Sequence, residues 1–497
     1  MVKIKVNNEV SNVLQNNIEI LNTILGKSSD FQIREIYLTS IDKKAAVLFI
    51  DEIADSNVVQ RYVIEPLVSY YIPHSKTDEE LLAFMESAVI QSINITRVED
   101  VTLASNELLA GKTLVIVEGI NTFLSTNTTK WNGRSIESPK GQRVAKGPDV
   151  GFSENRSTNI SLVRQIIKNP NVRVTTKQYG TNTRTGVSVM YIENIVDKQV
   201  LDTIYARLEN LQLDAVLEAN YIEMVLTKES KSFFPLMLNT DRPDVVAGEM
   251  LEGKVAILVD GSPYVLIAPA VLIQFFQTPE DYYQSKTGLV NPRLIRFSLY
   301  ILALYIPGMY VAFMTYHANL LPVKLLVGLV SQRELVPFPT SLEVTVLLIV
   351  LIAINESSTR LPQNIAITVS IFGGIILGQS AIESQLVEAA SLVVVSVTYI
   401  FLSVIPITAL RIAGTNISLC FTAVGAALGF YGIALLSLVI LLHLCSLRSF
   451  GVPYLSPFAP LVAHDLKDSA IQLSLEEMTN DESHYTNEEM IEETDKA

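Results

Sequence analysis

The sequence predicts an α/β N-terminal part built from two related lobes, followed by an α-helical domain that crosses a membrane several times. Three observations predict it. The 497 residues divide into a mixed, charged stretch to about Val290 and an apolar stretch from Arg293 to Leu447, so the mean hydropathy of +0.34 averages two unlike parts. Two blocks of the charged part repeat in one register. "NELLAGKTLVIVEG" from Asn106 aligns without a gap on "GEMLEGKVAILVDG" from Gly248, and "AAVLFIDEIADSNVV" from Ala45 aligns on "VSVMYIENIVDKQVL" from Val187, both at an offset of 142 residues. A shared offset favours duplication over a chance likeness between apolar runs. Strand-type alternation and helical spacing also follow one another along each copy, as expected where helices pack on a sheet.

Residues 1–30 read as a leader, an amphipathic helix or a loose segment. The first lobe with its linker spans 31–150. Within it "REIYLTSIDKKAAVLFIDE" alternates like paired strands and "NVVQRYVIEPLVSY" has helical spacing. The linker, from "TNTTKWNGRS" at Thr126 through "SPKGQRVAKGPDVG", is polar, rich in Gly, Ser, Asn and Pro, and locally basic. Two readings stay open for it: an exposed connection, or a contact strip for a partner or anionic lipid through Lys140, Arg143, Lys146 and Arg156. Its end, 153–167, reads as a helix capped by Ser153. The second lobe spans 151–290. Inside it Val255 to Phe276 is long and apolar enough to suggest a bilayer span, but Asp260 inside it would cost about 2.5–3.5 kcal/mol. Asp260-Gly261 and the prolines at 263 and 269 break a helix, so this stretch reads as strand, turn, strand.

The membrane domain spans 291–450, with candidate spans at 297–316, 342–354, 365–382, 386–410 and 417–444. The segment 319–330 is too short to cross simply and reads as re-entrant or interfacial. Arg293 and Arg296 before the first span and Arg448 after the last both favour the cytoplasmic side, which asks for an even number of crossings. Residues 451–497 form an acidic, cytosolic tail, poor in aromatics and expected to lack fixed structure after Pro460.

A net charge of −14, from 37 basic and 51 acidic residues, disfavours nucleic acid as a partner. The start "MVKIKVNNEVSN" has no apolar core of signal-peptide type, so the N-terminal part is expected in the cytosol. Cys420 and Cys445, the only cysteines, lie in the apolar part and read as packing residues. "AGKT" at 110–113 lacks the upstream glycine of a phosphate loop. The five histidines are scattered, His443 reading as an interhelical hydrogen-bonder, and there is neither a His-Glu-x-x-His nor a Cys-x-x-Cys pattern. No enzyme, cofactor or metal site is expected.

What remains is polarity inside the membrane, where it costs free energy and turns toward a bundle interior or water. On the third span Asn364, Thr368, Phe372, Ile375, Gln379 and Glu383 are spaced by four, four, three, four and four. At about 100° per residue they share one face, polar at each end and apolar in the middle. Around a symmetry axis that face would line a wet passage closed by Phe372 and Ile375, a constriction that gates by dewetting. The same groups could instead bond between helices of one subunit. Gly373, Gly374 and Gly378 lie elsewhere around the helix, suited to close packing. Glu343, Glu356, Arg360, Glu388 and Arg411 fall near span ends and read as snorkelling charges.

"TDRPDVVAGEMLEGKVAILVDGSPYVLIAP", "FFQTPEDYY", "RELVPFPTSLE", "LPQNIAITVSIFGGIILGQSAI" and "LRSFGVPYLSPFAP" together resemble the A subunits of GerA-type spore germinant receptors, a family that includes SpoVA-associated proteins of endospores. The resemblance covers roughly Arg134 to Pro460. It implies residence in the spore inner membrane, a cytosolic α/β part, and association with a transporter-like B subunit and a lipoprotein C subunit. It also implies a homo-oligomeric ring acting as a nutrient-gated channel for monovalent cations. The alternatives are an accessory channel subunit of the SpoVA-associated branch, a nonconducting scaffold, and a secondary transporter, which would be expected to show inverted repeats in its membrane part.

Overall fold

A computed structural model of the chain describes residues 9–73, 77–92, 94–130, 138–144, 146–211, 213–228, 230, 232–283, 291–372, 375 and 378–461. The acidic stretch from 462 onward lies outside the described residues. The chain divides into two compact units: an N-terminal unit that closes with Met237–Pro269, and a helical unit that starts at Ala270 and takes in Ser230–Leu236. The boundary drawn near 290 therefore moves to Pro269.

In the N-terminal unit the first lobe runs α1 (Leu14–Ile24), β1 (Phe31–Leu38), β2 (Lys43–Ile50), α2 (Ser56–Val59), α3 (Glu65–Ser69), α4 (Asp78–Phe84), β3 (Ile95–Val98), α5 (Val101–Leu109), β4 (Lys112–Val117) and β5 (Phe123–Asn127). The second runs α6 (Arg156–Ile166), β6 (Val172–Tyr179), β7 (Thr185–Ile192), α7 (Lys198–Glu209), α8 (Ala219–Leu226), β8 (Leu238–Thr240), α9 (Pro243–Leu251), β9 (Val255–Val259) and β10 (Val265–Ala268). Both sheets are antiparallel and share one topology, β1-β2-β4-β5-β3 and β6-β7-β9-β10-β8. Each central strand is covered on both faces, which is why "AAVLFI" is apolar throughout. Ala45, Val47, Val115 and Val117 pack toward Val59, Leu67 and Leu81, while Ala46, Leu48, Leu114 and Ile116 pack toward α1 and α5.

The offset of 142 residues carries through the fold: α1 maps onto α6, β2 onto β7 and α5 onto α9. The expected strand, turn and strand at 255–268 are β9 and β10, with Val265 opposite Leu258. Gly119 and Gly261, the paired turn glycines, both have φ of +85°, a conformation glycine adopts without steric cost. Two readings need correction. Leu14–Ile24, placed in a leader, is a buried element of the first lobe, with Leu14, Ile18 and Leu21 in its core. The helix expected to be capped by Ser153 is capped by Asn155, whose Oδ1 accepts the amide of Thr158 at 3.0 Å, because a cap must stand directly before the first helical residue. Ser153 serves a different contact. Its amide donates to Asn159 Oδ1 at 2.9 Å and its carbonyl accepts from Asn159 Nδ2 at 2.6 Å. Ser11 and Asn17 form the same pair at 2.8 and 2.6 Å in the first copy.

The lobes are joined through Ser28–Asp30, which runs against β6. Ser29 donates its amide to the Val174 carbonyl at 2.9 Å, and Arg164 binds both oxygens of Asp30 at 2.5 and 3.0 Å. Glu52 accepts the Ser157 hydroxyl across the same junction. Burial pushes the Glu52 carboxyl above its ordinary range, against the lowering effect of that bond.

The helical unit contains α10 (Glu280–Tyr283), α11 (Pro292–Thr315), α12 (Val323–Arg333), α13 (Thr340–Arg360), α14 (Gln363–Phe372), α15 (Gly378–Glu383), α16 (Ala389–Ser403) and α17 (Thr408–Ser446), then a hairpin of β11 (Arg448–Ser449) and β12 (Val452–Pro453). Among the described residues, Pro292–Thr315, Thr340–Ser357 and Thr408–Ser446 are long and apolar enough to cross a membrane. The span expected at 365–382 is described as two helices, α14 and α15, around the glycine-rich stretch whose residues 373, 374, 376 and 377 lie outside the described residues. The span at 386–410 is reduced to α16, which stops at Ser403 ahead of Pro406, where a proline restricts the residues before it. α12 is about 16 Å long, short of a bilayer core, and buries none of its residues. α17 extends beyond the span expected at 417–444 and is interrupted at Gly429, with φ 61° and ψ −147°. The region from 451 is not yet tail. Tyr454 is fully buried and its carbonyl accepts the Leu272 amide at 2.8 Å.

Candidate functional site in the helical unit

The six residues expected on one face fall on α14, on α15 and between them. Thr368, Phe372, Ile375, Gln379 and Glu383 are all exposed, Phe372 to 59% and Ile375 to 60%, while the side chain of Asn364 lies outside the described residues. Gln379 donates to Glu383 Oε1 at 3.0 Å, one turn along α15. Gly378, expected at a packing position, is buried, and a Cβ there would meet Leu392 Cδ2 at 3.3 Å.

Two charges read as snorkelling are instead enclosed. Glu343 on α13 is 4% exposed and Glu388, at the N-terminus of α16, is 2% exposed. Sequence position places both near helix ends; only tertiary packing shows that those ends turn inward. A carboxylate oxygen of Glu343 accepts the backbone amide of Glu388, and its side chain also bonds the Ser391 hydroxyl, so it caps α16 from outside. Tyr310 on α11 donates its hydroxyl to Glu388 Oε2 at 3.1 Å and lies 3.3 Å from Ser391 Oγ. Tyr310 and Ser391 were missed from the sequence, where neither stands out from its apolar helix. Beside this cluster a cavity of about 450 Å³, lined by Leu342, Glu343, Val346, Gly378, Leu392 and Ser396, separates α13 from α15 and α16. Glu356 and Arg360 are exposed near the end of α13 and paired at 2.5 Å.

A second charged group stands before α11. Asp281, in the "FFQTPEDYY" motif, takes two bonds from Arg296 at 2.8 and 2.7 Å, lies 3.5 Å from Arg293, and accepts the Thr278 amide at 3.0 Å. Burial works to raise its carboxyl, but the Arg296 hydrogen bonds and charge hold it below the ordinary range. The Arg296 guanidinium also donates to the Phe276 carbonyl at 2.7 Å, tying the start of α11 to the turn before it. His443 bonds Ser232 at 3.1 Å, a residue of the 230–236 segment and not of another helix. Cys420 and Cys445 are free thiols. Among the described residues no three or more His, Cys, Asp and Glu side chains are grouped so as to hold a metal ion.

The basic strip of the linker divides. Lys140, Arg143 and Lys146 are exposed, whereas Arg156 is half-buried on α6 and donates to Ser188 Oγ at 2.6 Å and Thr176 Oγ1 at 3.2 Å. The linker is held down by the "TDRPD" motif. Gly141 donates its amide to Asp241 Oδ2 at 2.6 Å, and the fully buried Arg242 donates to the carbonyls of Gln142 and Pro148 at 3.3 and 2.9 Å.

A family model described as "Bacillus/Clostridium GerA spore germination protein" matches residues 19–484. Spore germination protein KA of Bacillus subtilis (strain 168) is 37% identical over 466 residues, covering 93% of this chain and 85% of that protein. Spore germination protein B1 of the same organism is 31% identical, with 94% and 95% covered, and spore germination protein GerLA of Bacillus cereus is 32% identical, with 93% of each covered. Among solved structures, the N-terminal domain of the A subunit of the Bacillus megaterium spore germinant receptor GerK3 matches 54% of this chain and 99% of its own, at 32% identity and a TM-score of 0.42. With a family model that spans nearly all of its length and germination proteins as full-length relatives, the chain belongs to the GerA family of spore germination proteins.

Proposed function

We propose that this chain is the A subunit of a nutrient germinant receptor and that copies of it assemble around an axis as a gated channel for monovalent cations. The observation that carries the reading is the uncovered run on α14 and α15. Phe372 and Ile375 are left more than half exposed in the single chain, between polar Thr368 and Gln379. Large apolar groups flanked by polar ones on one side of a membrane segment suit a narrow passage, wet at its ends and dry at its constriction. The proposed partners are a transporter-like B subunit, which would bind the nutrient, a lipoprotein C subunit, further copies of this chain and membrane lipid. The proposed location is the spore inner membrane with the N-terminal unit in the cytosol. Nutrient binding to the complex then biases a closed-to-open equilibrium through its differential affinity for the two states.

The test replaces Phe372 or Ile375 by Ala in spores. The expected outcome is potassium loss without nutrient. Spores that stay dormant and keep their potassium would refute the gate. If polar-to-apolar changes at Thr368 and Gln379 leave nutrient-triggered ion release intact, the chain is a scaffold and conduction lies elsewhere.

A further inference from the structure

We infer that Glu388, Glu343, Tyr310 and Ser391 form a binding site for a single monovalent metal cation within each chain, distinct from the face on α14 and α15. The main observation is an orphaned oxygen. Glu388 is 2% exposed; its Oε2 accepts from Tyr310, while Oε1 is enclosed and has no hydrogen-bonding partner among the described residues. Leaving a buried carboxylate oxygen unpaired is costly, so its surroundings ask for a ligand. The groups converging there offer oxygen only: two carboxylates, the Tyr310 hydroxyl and the Ser391 hydroxyl. Such a set suits a hard cation and not one that prefers nitrogen or sulfur.

Charge selects the valence. Arg333 is a basic side chain whose charge acts on both carboxyls, and its Nη1 donates to the Met314 carbonyl at 3.1 Å. Two carboxylates against one guanidinium leave one negative charge in apolar surroundings, and a monovalent ion balances it. The site does not depend on the conduction reading. Its two acidic residues stand on either side of α14 and α15 in the chain, so occupancy would brace both flanks of that segment.

The test uses the purified full-length chain in detergent micelles. Retention of radioactive rubidium is measured at constant pH and ionic strength, with N-methylglucamine as the inert replacement. Saturable retention of one ion per chain is expected, weakened at least about tenfold in Glu388→Gln and severalfold in Tyr310→Phe. Glu356→Gln, an exposed position about 20 Å along α13 from Glu343, should bind as the native chain does. Absence of saturable retention overturns the proposal, as does native affinity in Glu388→Gln, or binding lost in Glu383→Gln instead. A thermal midpoint that moves with pH but not with rubidium would assign the site to a proton and refute the cation. If Glu388→Gln fails to fold, Tyr310→Phe decides, and unchanged affinity there is equally fatal.

Discussion

Removing one partner of the Arg164–Asp30 pair should loosen the two lobes without unfolding either. Both side chains are 2% exposed, and Arg164 places two charge-assisted bonds on Asp30, at 2.5 and 3.0 Å, with a third bond to Ser28 Oγ at 3.1 Å. Two such bonds contribute about 1.5–3 kcal/mol each, and an ion left buried without its partner costs about 3–5 kcal/mol. The lower figure applies, since Nη1 of Arg164 has no partner among the described residues even in the native chain. Asp30→Ala or Arg164→Met should therefore destabilise the junction by about 3 kcal/mol. The amides of Ser29 and Val174, which bond across it to the Val174 carbonyl and to Ser28 Oγ, report its opening directly. Hydrogen exchange at these two amides should accelerate on the order of 100-fold, while amides inside β4 and β9 stay slow. The double variant Asp30→Leu with Arg164→Met should recover most of the loss, because an apolar pair of similar volume needs no compensation. Single variants that exchange like the native chain, or a double variant as weak as the summed singles, would refute the argument.

Two further outcomes can be checked on the full chain. Burial, and then the Glu218 charge, raise Glu223 on α8 to about 7 from an ordinary 4.5. The folded state therefore binds the proton more tightly, so this contribution is present at low pH and is lost as pH rises through about 7. Its upper bound is about 3 kcal/mol, less what water at a partly covered group screens. Thermal midpoints between pH 5 and 8 should fall more steeply for the native chain than for Glu223→Gln; equal slopes would count against it. Gly429→Ala forces a side chain into φ 61°, ψ −147° and brings its Cβ within 2.9 Å of His317 Nε2, which should cost about 1–3 kcal/mol. An unchanged thermal midpoint would mean that α17 does not need its break.

Periodicity and repetition made most of the N-terminal fold legible. A shared offset is a long-range signal, and it located β2, β4, β7 and β9 before any packing was known. It did not reveal α1, because the resemblance of "VSNVLQNNIEI" to "FSENRSTNISL" rests on a serine and an asparagine six residues apart, whose pairing is visible only in three dimensions. The cap of α6 was misplaced for a related reason: Ser153 and Asn155 are both capping residue types, and only the backbone separates them. In the helical unit hydropathy found the apolar segments but not their breaks. Burial of Glu343 and Glu388 was illegible, since a charge near a helix end looks the same whether that end meets water or another helix.

The seating of Ser28–Asp30 against β6 bears on how copies of the chain can meet. A β-sheet ends in a row of unsatisfied amides and carbonyls that invites any extended chain to add itself. The first lobe already occupies part of that position on the second, through the Ser29–Val174 bond. The opposite margin is β8, only three residues long, and the first lobe's outer strands carry Arg34, Glu35 and Arg97. Copies of this chain brought close together would thereby be guarded against fusing their sheets into one continuous ribbon.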